Sequence, residues 1–288
     1  MAAFCPLDDR EPNRAPPLST KRGNRRLRCL MDAILRGVDH VELDQTAVTT
    51  VAPDLAIGLS RGRHPKTYRY VDPNEDVVAV HRENGATVLM VADGHNGHQV
   101  SHAAVDLMRD ALTAEVPAWT RHGAVRAFHE LNEEVRAVRR TLEPPNRSAR
   151  TTLVVAVVTT NSDGQRCLVH ASVGDSAVFT IRNKTVTQLS KDRQHFLGDR
   201  LSPPQVAGAM HYGQTDLHAD DVVIVVSDGF TNFARPQDLS HLIGPDPEQT
   251  VRRIIDRAGK AGAGDNIAVA ALLGDTIRGD AGVQDDPT

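Results

Sequence analysis

The 288-residue chain is poor in cysteine: Cys5, Cys29 and Cys167 are the only three, they lie far apart, and none forms a CxxC pair. That leaves no signature of a zinc or redox site and fits a reduced, cytoplasmic setting. Long apolar runs are also missing. None approaches the roughly 18 residues of a bilayer-crossing helix, and the N-terminal stretch lacks the apolar core of a secretory signal, so a soluble protein without a membrane span is expected. Nor is there a surplus of positive charge, since 33 Lys and Arg stand against 37 Asp and Glu, for a net charge of -4. This balance argues against a globally basic surface built to hold nucleic acid. No internal repeat is evident.

What is present is enough apolar content, 40%, to bury a substantial core in one domain with loose ends. Residues 1–48 read as a mostly disordered, basic N-terminal extension, in which Pro6, Pro12, Pro16 and Pro17 mix with Arg10, Arg14, Lys21, Arg22, Arg25, Arg26 and Arg28. Its arginines suit a solvated arm, or an arm that docks on an acidic partner. The segment Leu30 to Leu35 could form one or two helical turns. A folded domain is expected over 49–274, followed by a disordered acidic tail over 275–288 that carries Asp275, Asp280, Asp285 and Asp286.

Within the domain, Val51 to Leu59, Val77 to Val80 and Ala86 to Ala92 have the apolar, β-branched character of strands. Asn84-Gly85 marks a hairpin between the last two, which brings Asp76 and Asp93 to the same end of an antiparallel pair. Val100, Ala104, Leu107 and Ala111 give one helical face, and Val125, Phe128, Leu131, Val135, Val138 and Leu142 give a second. Thr151 to Thr160, Cys167 to Val173, Ala177 to Ile181 and Thr185 to Leu189 predict an antiparallel meander, and residues 190–220 a surface excursion with little regular structure. Strands at Val222 to Val226 and Ile267 to Leu273 frame helices at Leu239 to Ile243 and Val251 to Ala258. The summed pattern is α+β, with two packed antiparallel sheets and helices outside them.

Glu75, Asp76, Asp93, Asp175, Asp228 and Asp265 each abut an expected strand end. Gathered together, so many carboxylates would repel without cations, and all-oxygen ligation selects hard ions such as Mg²⁺ or Mn²⁺. Gly94 and Gly97 would let a backbone carbonyl approach such an ion closely. Two ions could activate a bridging water and clamp a phosphoryl group for in-line attack. Taken singly, each Asp-Gly is ordinary turn chemistry. A rival zinc reading on His95, His98 and His102 has no cysteine or glutamate in a zinc-hydrolase arrangement beside it.

Asn74-Glu75-Asp76, Asp93-Gly94-His95-Asn96-Gly97-His98, Ala149-Arg150-Thr151-Thr152, Val173-Gly174-Asp175-Ser176, Ser227-Asp228-Gly229 and Gly264-Asp265-Asn266 together resemble, in order and spacing, the motif set of the PPM family. These are the type 2C metal-dependent Ser/Thr protein phosphatases, and the resemblance covers about residues 50 to 274. It implies a four-layer αββα sandwich of two antiparallel β-sheets flanked by helix pairs, and a phosphorylated protein as substrate. It further implies that Asp93 bridges two Mn²⁺ or Mg²⁺ ions, with Asp228 and Asp265 on one and Glu75 and the Gly94 carbonyl on the other. Asp76 would hold metal-bound water, His95 would act as general acid, and Asp175 would be a structural turn residue rather than a ligand.

Three departures stand out. Val71 occupies the position of a phosphate-binding arginine, leaving Arg69 as the nearest candidate. Asn146-Arg147-Ser148 stands where many members carry an aspartate for a third metal, which argues against a third ion. The segment before Asp221 differs from the usual flap. The alternative to an active enzyme is a pseudophosphatase that binds phosphoproteins without turnover.

Overall fold

The computed structural model describes residues 31–83, 85–114, 119–161, 163–191 and 195–275. In chain order the elements are β1 (Met31–Arg36), β2 (Thr46–Ala52), β3 (Leu55–Ser60), β4 (Val77–Glu83), β5 (Ala86–Ala92), β6 (Gly94–His95), α1 (Gln99–Ala114) and α2 (Arg121–Thr141). Then come β7 (Arg150–Thr151), β8 (Leu153–Thr160), β9 (Arg166–Val173), β10 (Ala177–Arg182), β11 (Thr185–Gln188), α3 (Pro203–Ala209) and β12 (His211–Leu217). The chain closes with β13 (Val222–Val226), α4 (Asp228–Thr231), α5 (Leu239–Leu242), α6 (Pro247–Lys260) and β14 (Ile267–Leu272).

Two six-stranded antiparallel sheets stack face to face, in the orders β1-β4-β5-β8-β9-β12 and β11-β10-β13-β14-β3-β2. Strand alternation divides the core into three layers, because successive side chains leave opposite faces of a strand. On β5, Leu89 and Val91 enter the layer between the sheets, while Val88 and Met90 face α1 and α2. On β13, Val223 and Val225 join the inner layer, and Ile224 and Val226 face α6. The expected α+β, four-layer αββα sandwich is what the chain forms. Among the described residues no helix is long and apolar enough to cross a membrane.

Local signals set the helix starts. Thr120 caps α2 by accepting the Gly123 N–H at 3.1 Å, and Asp246 caps α6 by accepting from Glu248 at 2.9 Å, with Pro247 as first helical residue. The buried stripe of α1 is Val100, Ala104, Val105, Met108 and Leu112. It is therefore rotated from the face read in the sequence, with Leu107 only partly buried and Ala111 exposed.

Four expectations need correction. Met31–Arg36 is a strand, not a helical turn, and pairs along its length with β4. The folded body thus reaches back at least to Met31, ahead of the boundary expected at 49; the basic stretch 1–30 and residues 276–288 lie outside the described residues. Residues 190–220 hold α3 and β12, the latter paired with β9 from His211↔Ser172 to Leu217↔Arg166. As an edge strand, β12 packs only Tyr212 and Leu217 on the core and is otherwise polar, so its sequence shows no apolar alternation. Finally, β8 to β11 do not form one meander. β9 pairs with β8 and β12, whereas β10 pairs with β11 and β13, so the chain crosses between sheets at Gly174-Asp175-Ser176.

Candidate metal centre

One edge of the sandwich collects the strand ends. In the first sheet Val77 faces Ala92 across β4 and β5, placing Asp76 and Asp93 side by side as the hairpin requires. In the second, Ala177 faces Val226 and Val226 faces Val269, so Asp175, Asp228 and Asp265 all flank the same end. Asp93, Asp175 and Asp228 each bring a carboxylate oxygen within 4.8 Å of the others. Asp175 therefore joins the cluster that the sequence reading had excluded it from. The cause is the sheet crossing: its turn is the corner over which the chain passes from one sheet to the other, not a hairpin tip.

Asp93 is fixed through its backbone. Its N–H donates to Thr152 Oγ1 at 3.0 Å, and its carbonyl accepts from Thr151 Oγ1 at 2.8 Å and from the Thr152 N–H at 2.9 Å. Gly94 follows because a Cβ there would stand 2.6 Å from the Glu75 carbonyl oxygen, and Gly229 because a Cβ would stand 1.8 Å from that of Asn266. Glu75 is placed by Asn266, whose Oδ1 accepts its N–H at 3.0 Å, while Glu75 Oε1 accepts the N–H groups of Gly97 at 2.6 Å and Asp72 at 3.2 Å.

Burial and crowding perturb the charges. Burial, reinforced by Asp228, Asp76 and Asp265, raises Asp93 well above the usual carboxylate range. Burial likewise raises Asp76 to about 8, against the opposing charge of Lys66, and raises Asp228 to about 7 with Asp265 and Asp175 adding to it. Asp93 Oδ2 and Asp228 Oδ1 are buried with no hydrogen-bond donor reaching them among the described residues. Hard oxygens converging from two sheets, with buried atoms lacking donors and a cost to ionisation, fit a divalent cation.

His95 stands beside this cluster, its Nε2 3.9 Å from Asp93 Oδ2. Its register partner across β6 and β7 is Arg150, and the guanidinium of Arg150 and the ring edge of His95 both pack on Phe196. Burial, then the charges of Arg150 and Lys66, lower His95 to about 4, so the ring is neutral at neutral pH. Arg69 is exposed on the loop between β3 and β4. The cation this loop brings to the carboxylates is Lys66, whose Nζ lies 3.5 Å from Glu75 Oε2 and 3.4 Å from Asp265 Oδ1. His98 pairs with Asp72 at 2.7 Å and stacks near His102, away from the cluster.

Sequence reasoning missed Lys66, Tyr68, Arg150, Phe196 and the bridging role of Asn266. Asn266, Arg150 and Thr152 stood inside recognised motifs, and for Asn266 its place directly after Asp265 was the available signal. Nothing local marked Lys66 among the exposed residues around it.

The strands of both sheets thus bring a cluster of carboxylates to one edge of the sandwich. The chain belongs to the protein phosphatase 2C family, which matches residues 65–269. It is 25% identical over 233 residues to the serine/threonine phosphatase stp of Listeria monocytogenes, covering 68% of this chain and 88% of the relative. Among solved structures it is similar to the catalytic domain of the serine/threonine phosphatase PstP in complex with two manganese ions, with a TM-score of 0.60 at 20% identity, covering 80% of this chain and 100% of the other. The Mycobacterium tuberculosis phosphatase PstP/Ppp gives a TM-score of 0.58 at 21% identity, covering 80% and 99%.

Proposed function

We propose that this chain is an active serine/threonine protein phosphatase that hydrolyses phosphoserine or phosphothreonine in cytoplasmic proteins with the help of two Mn²⁺ or Mg²⁺ ions. The observation that carries this reading is the convergence of Asp93, Asp175 and Asp228 within 4.8 Å at the joined edge of both sheets. Asp93, Asp228, Asp265, Glu75 and the Gly94 carbonyl would hold the ions, with Asp175 as a further carboxylate beside Asp93 and Asp228. Bound there, divalent ions neutralise phosphoryl charge and acidify water, which supplies the nucleophile without a phosphoenzyme.

The residues themselves do the rest. Asp76, buried beside Asp93 at the joined end of β4 and β5, would hold water at the site. His95 is neutral when the site is empty of phosphate, and a bound dianion beside it favours the imidazolium that protonates the leaving seryl or threonyl oxygen. Phe196 and Arg150 fix the plane of its ring.

The test is Mn²⁺-stimulated hydrolysis of a phosphothreonine peptide, with Asp93→Asn and Asp228→Asn as controls. A fall of at least about a hundredfold in both variants is expected. Unchanged turnover in either would overturn the reading. Val71, in place of a phosphate-binding arginine, favours the alternative of a pseudophosphatase. That alternative requires phosphopeptide binding with no turnover at any Mn²⁺ concentration.

A further inference from the structure

We propose that Lys66 is a tethered cation that competes with divalent ions for Glu75 and Asp265, one carboxylate from each half of the site, and so sets the metal affinity of both halves. Lys66 has this role only if the chain is the metal-dependent phosphatase inferred above.

The donor inventory divides the carboxylates into two groups. Asp265 Oδ1 already receives the Tyr68 hydroxyl at 2.7 Å and the Asn266 N–H at 2.8 Å, with the Lys66 ammonium at 3.4 Å. Glu75 Oε1 is taken by the Gly97 and Asp72 N–H groups, and Glu75 Oε2 faces Lys66 at 3.5 Å. These two carboxylates are thus supplied with positive partners from within the chain. Asp93 Oδ2 and Asp228 Oδ1 have no donor among the described residues. A hard cation meets open oxygens at the second group, and at the first must displace a buried ammonium.

The loop around Lys66 permits that displacement. His64, Pro65, Thr67, Tyr68 and Arg69 are all exposed, while the Lys66 side chain is only 3% exposed. Its burial comes from the two carboxylates and from the rings of Tyr68 and Tyr70, whose centroids lie 5.4 and 5.9 Å from Nζ. A lysine held by charge rather than by apolar packing can swing out when a stronger charge arrives, because its flexible stem reaches solvent within one side-chain length. An ammonium engaged by two carboxylates is also poorly placed to receive a substrate phosphate, since like-signed groups would surround the phosphate in turn.

The experiment titrates the chelator-treated full chain with Mn²⁺ by calorimetry, comparing wild type with Lys66→Met, and repeats the thermal melts with chelator and with saturating Mn²⁺. In Lys66→Met both Mn²⁺ sites should tighten, with overall affinity rising by at least roughly tenfold, because a competing unit charge has been removed. The melts should cross: the variant melts below wild type in chelator, and the gap closes or reverses in Mn²⁺. Tyr68→Phe, on an exposed side chain that donates to Asp265 only, should tighten the half of the site that includes Asp265 by a smaller factor without threatening the fold. Equal or weaker Mn²⁺ binding in Lys66→Met, with hydrolysis by wild type intact, would overturn the role of Lys66 alone. Unchanged Mn²⁺ affinity with weakened inhibition by inorganic phosphate would do the same and mark Lys66 as a phosphate contact. No Mn²⁺ binding by any variant or by wild type would overturn the phosphatase reading as well. Binding by Lys66→Met but not by wild type would support the competition and argue for a chain that is locked against metal.

Discussion

The side chain of Asn266, at the start of β14 in one sheet, accepts the backbone N–H of Glu75, at the approach to β4 in the other, at 3.0 Å. Its Nδ2 donates to the carbonyls of Pro73 at 3.0 Å and Arg61 at 3.3 Å, so one buried amide pins both ends of the loop that carries Lys66. Asn266→Ala leaves these groups without partners at a position only 1% exposed. A loss of about 1–3 kcal/mol is expected by urea denaturation. Mn²⁺ affinity should fall with it, since Glu75 is no longer placed; retained affinity would show that the loop holds itself.

His95→Gln keeps a hydrogen-bonding group but no proton to donate as an acid. If His95 protonates the leaving oxygen, kcat should drop by roughly 10²–10⁴ with KM little changed. The loss should be smaller for an aryl phosphate such as p-nitrophenyl phosphate, whose leaving group needs no acid. An equal loss on both substrates would assign the ring to binding instead.

The third prediction concerns pH. His170 on β9 is buried against Gly213 and stacks on His211, with 3.3 Å between their ring nitrogens. Burial, then the neighbouring His211, lowers it to about 4. Between the ordinary value of 6.5 and 4 the unfolded chain binds a proton that the folded chain does not. Stability is therefore full above 6.5 and lost as pH falls, by roughly 2 kcal/mol at pH 5 from this residue. His170→Gln should shrink the difference in unfolding free energy between pH 7.5 and pH 5 by about that amount, whatever it does to stability at pH 7.5.

Arg82 on β4 makes a two-pronged ion pair with Asp54, in the turn between β2 and β3, with both contacts at 2.8 Å. It clasps the two sheets at the end remote from the carboxylates. Arg82→Ala should cost about 1–3 kcal/mol, because it removes a two-pronged, charge-assisted contact from a largely buried carboxylate. Peptide hydrolysis per folded molecule should be unaffected; a change would show that the clasp transmits sheet spacing to the site.

The parts legible in the sequence were those written in local patterns. Val77 to Val80 and Ala86 to Ala92 around Asn84-Gly85 specify a hairpin, and the hairpin alone dictates that Asp76 and Asp93 share an end. The sheet to which each strand belongs is not a local property. Cys167 to Val173 and Ala177 to Ile181 read as neighbours in one sheet, yet Asp175 between them turns the corner into the other, and only that corner brings its carboxylate to Asp93. The same holds for β1 and β12. Both lie at sheet edges, where one strand neighbour suffices and solvent tolerates polar side chains: β12 is largely polar, and β1 alternates Met31, Ala33 and Leu35 over a run so short that it also reads as a helical turn. Lys66 was illegible for a third reason: its partners Glu75 and Asp265 are drawn from opposite sheets.

Because the carboxylates come from strands on both sides of the helix pair, the ribosome delivers them in two instalments. Glu75, Asp76 and Asp93 emerge with the first sheet, while Asp228 and Asp265 come only with β13 and β14, at the end of the described chain. Strands β2 and β3 are made early and pair with each other, but the other edge of β3 has no partner until β14 arrives. A nascent chain arrested before β13 thus has Asp93 and Asp175 but not Asp228 or Asp265, and leaves an edge of β3 unpaired. If the chain is the metal-dependent phosphatase inferred above, truncated products would lack two of its carboxylate ligands as well as a sheet neighbour.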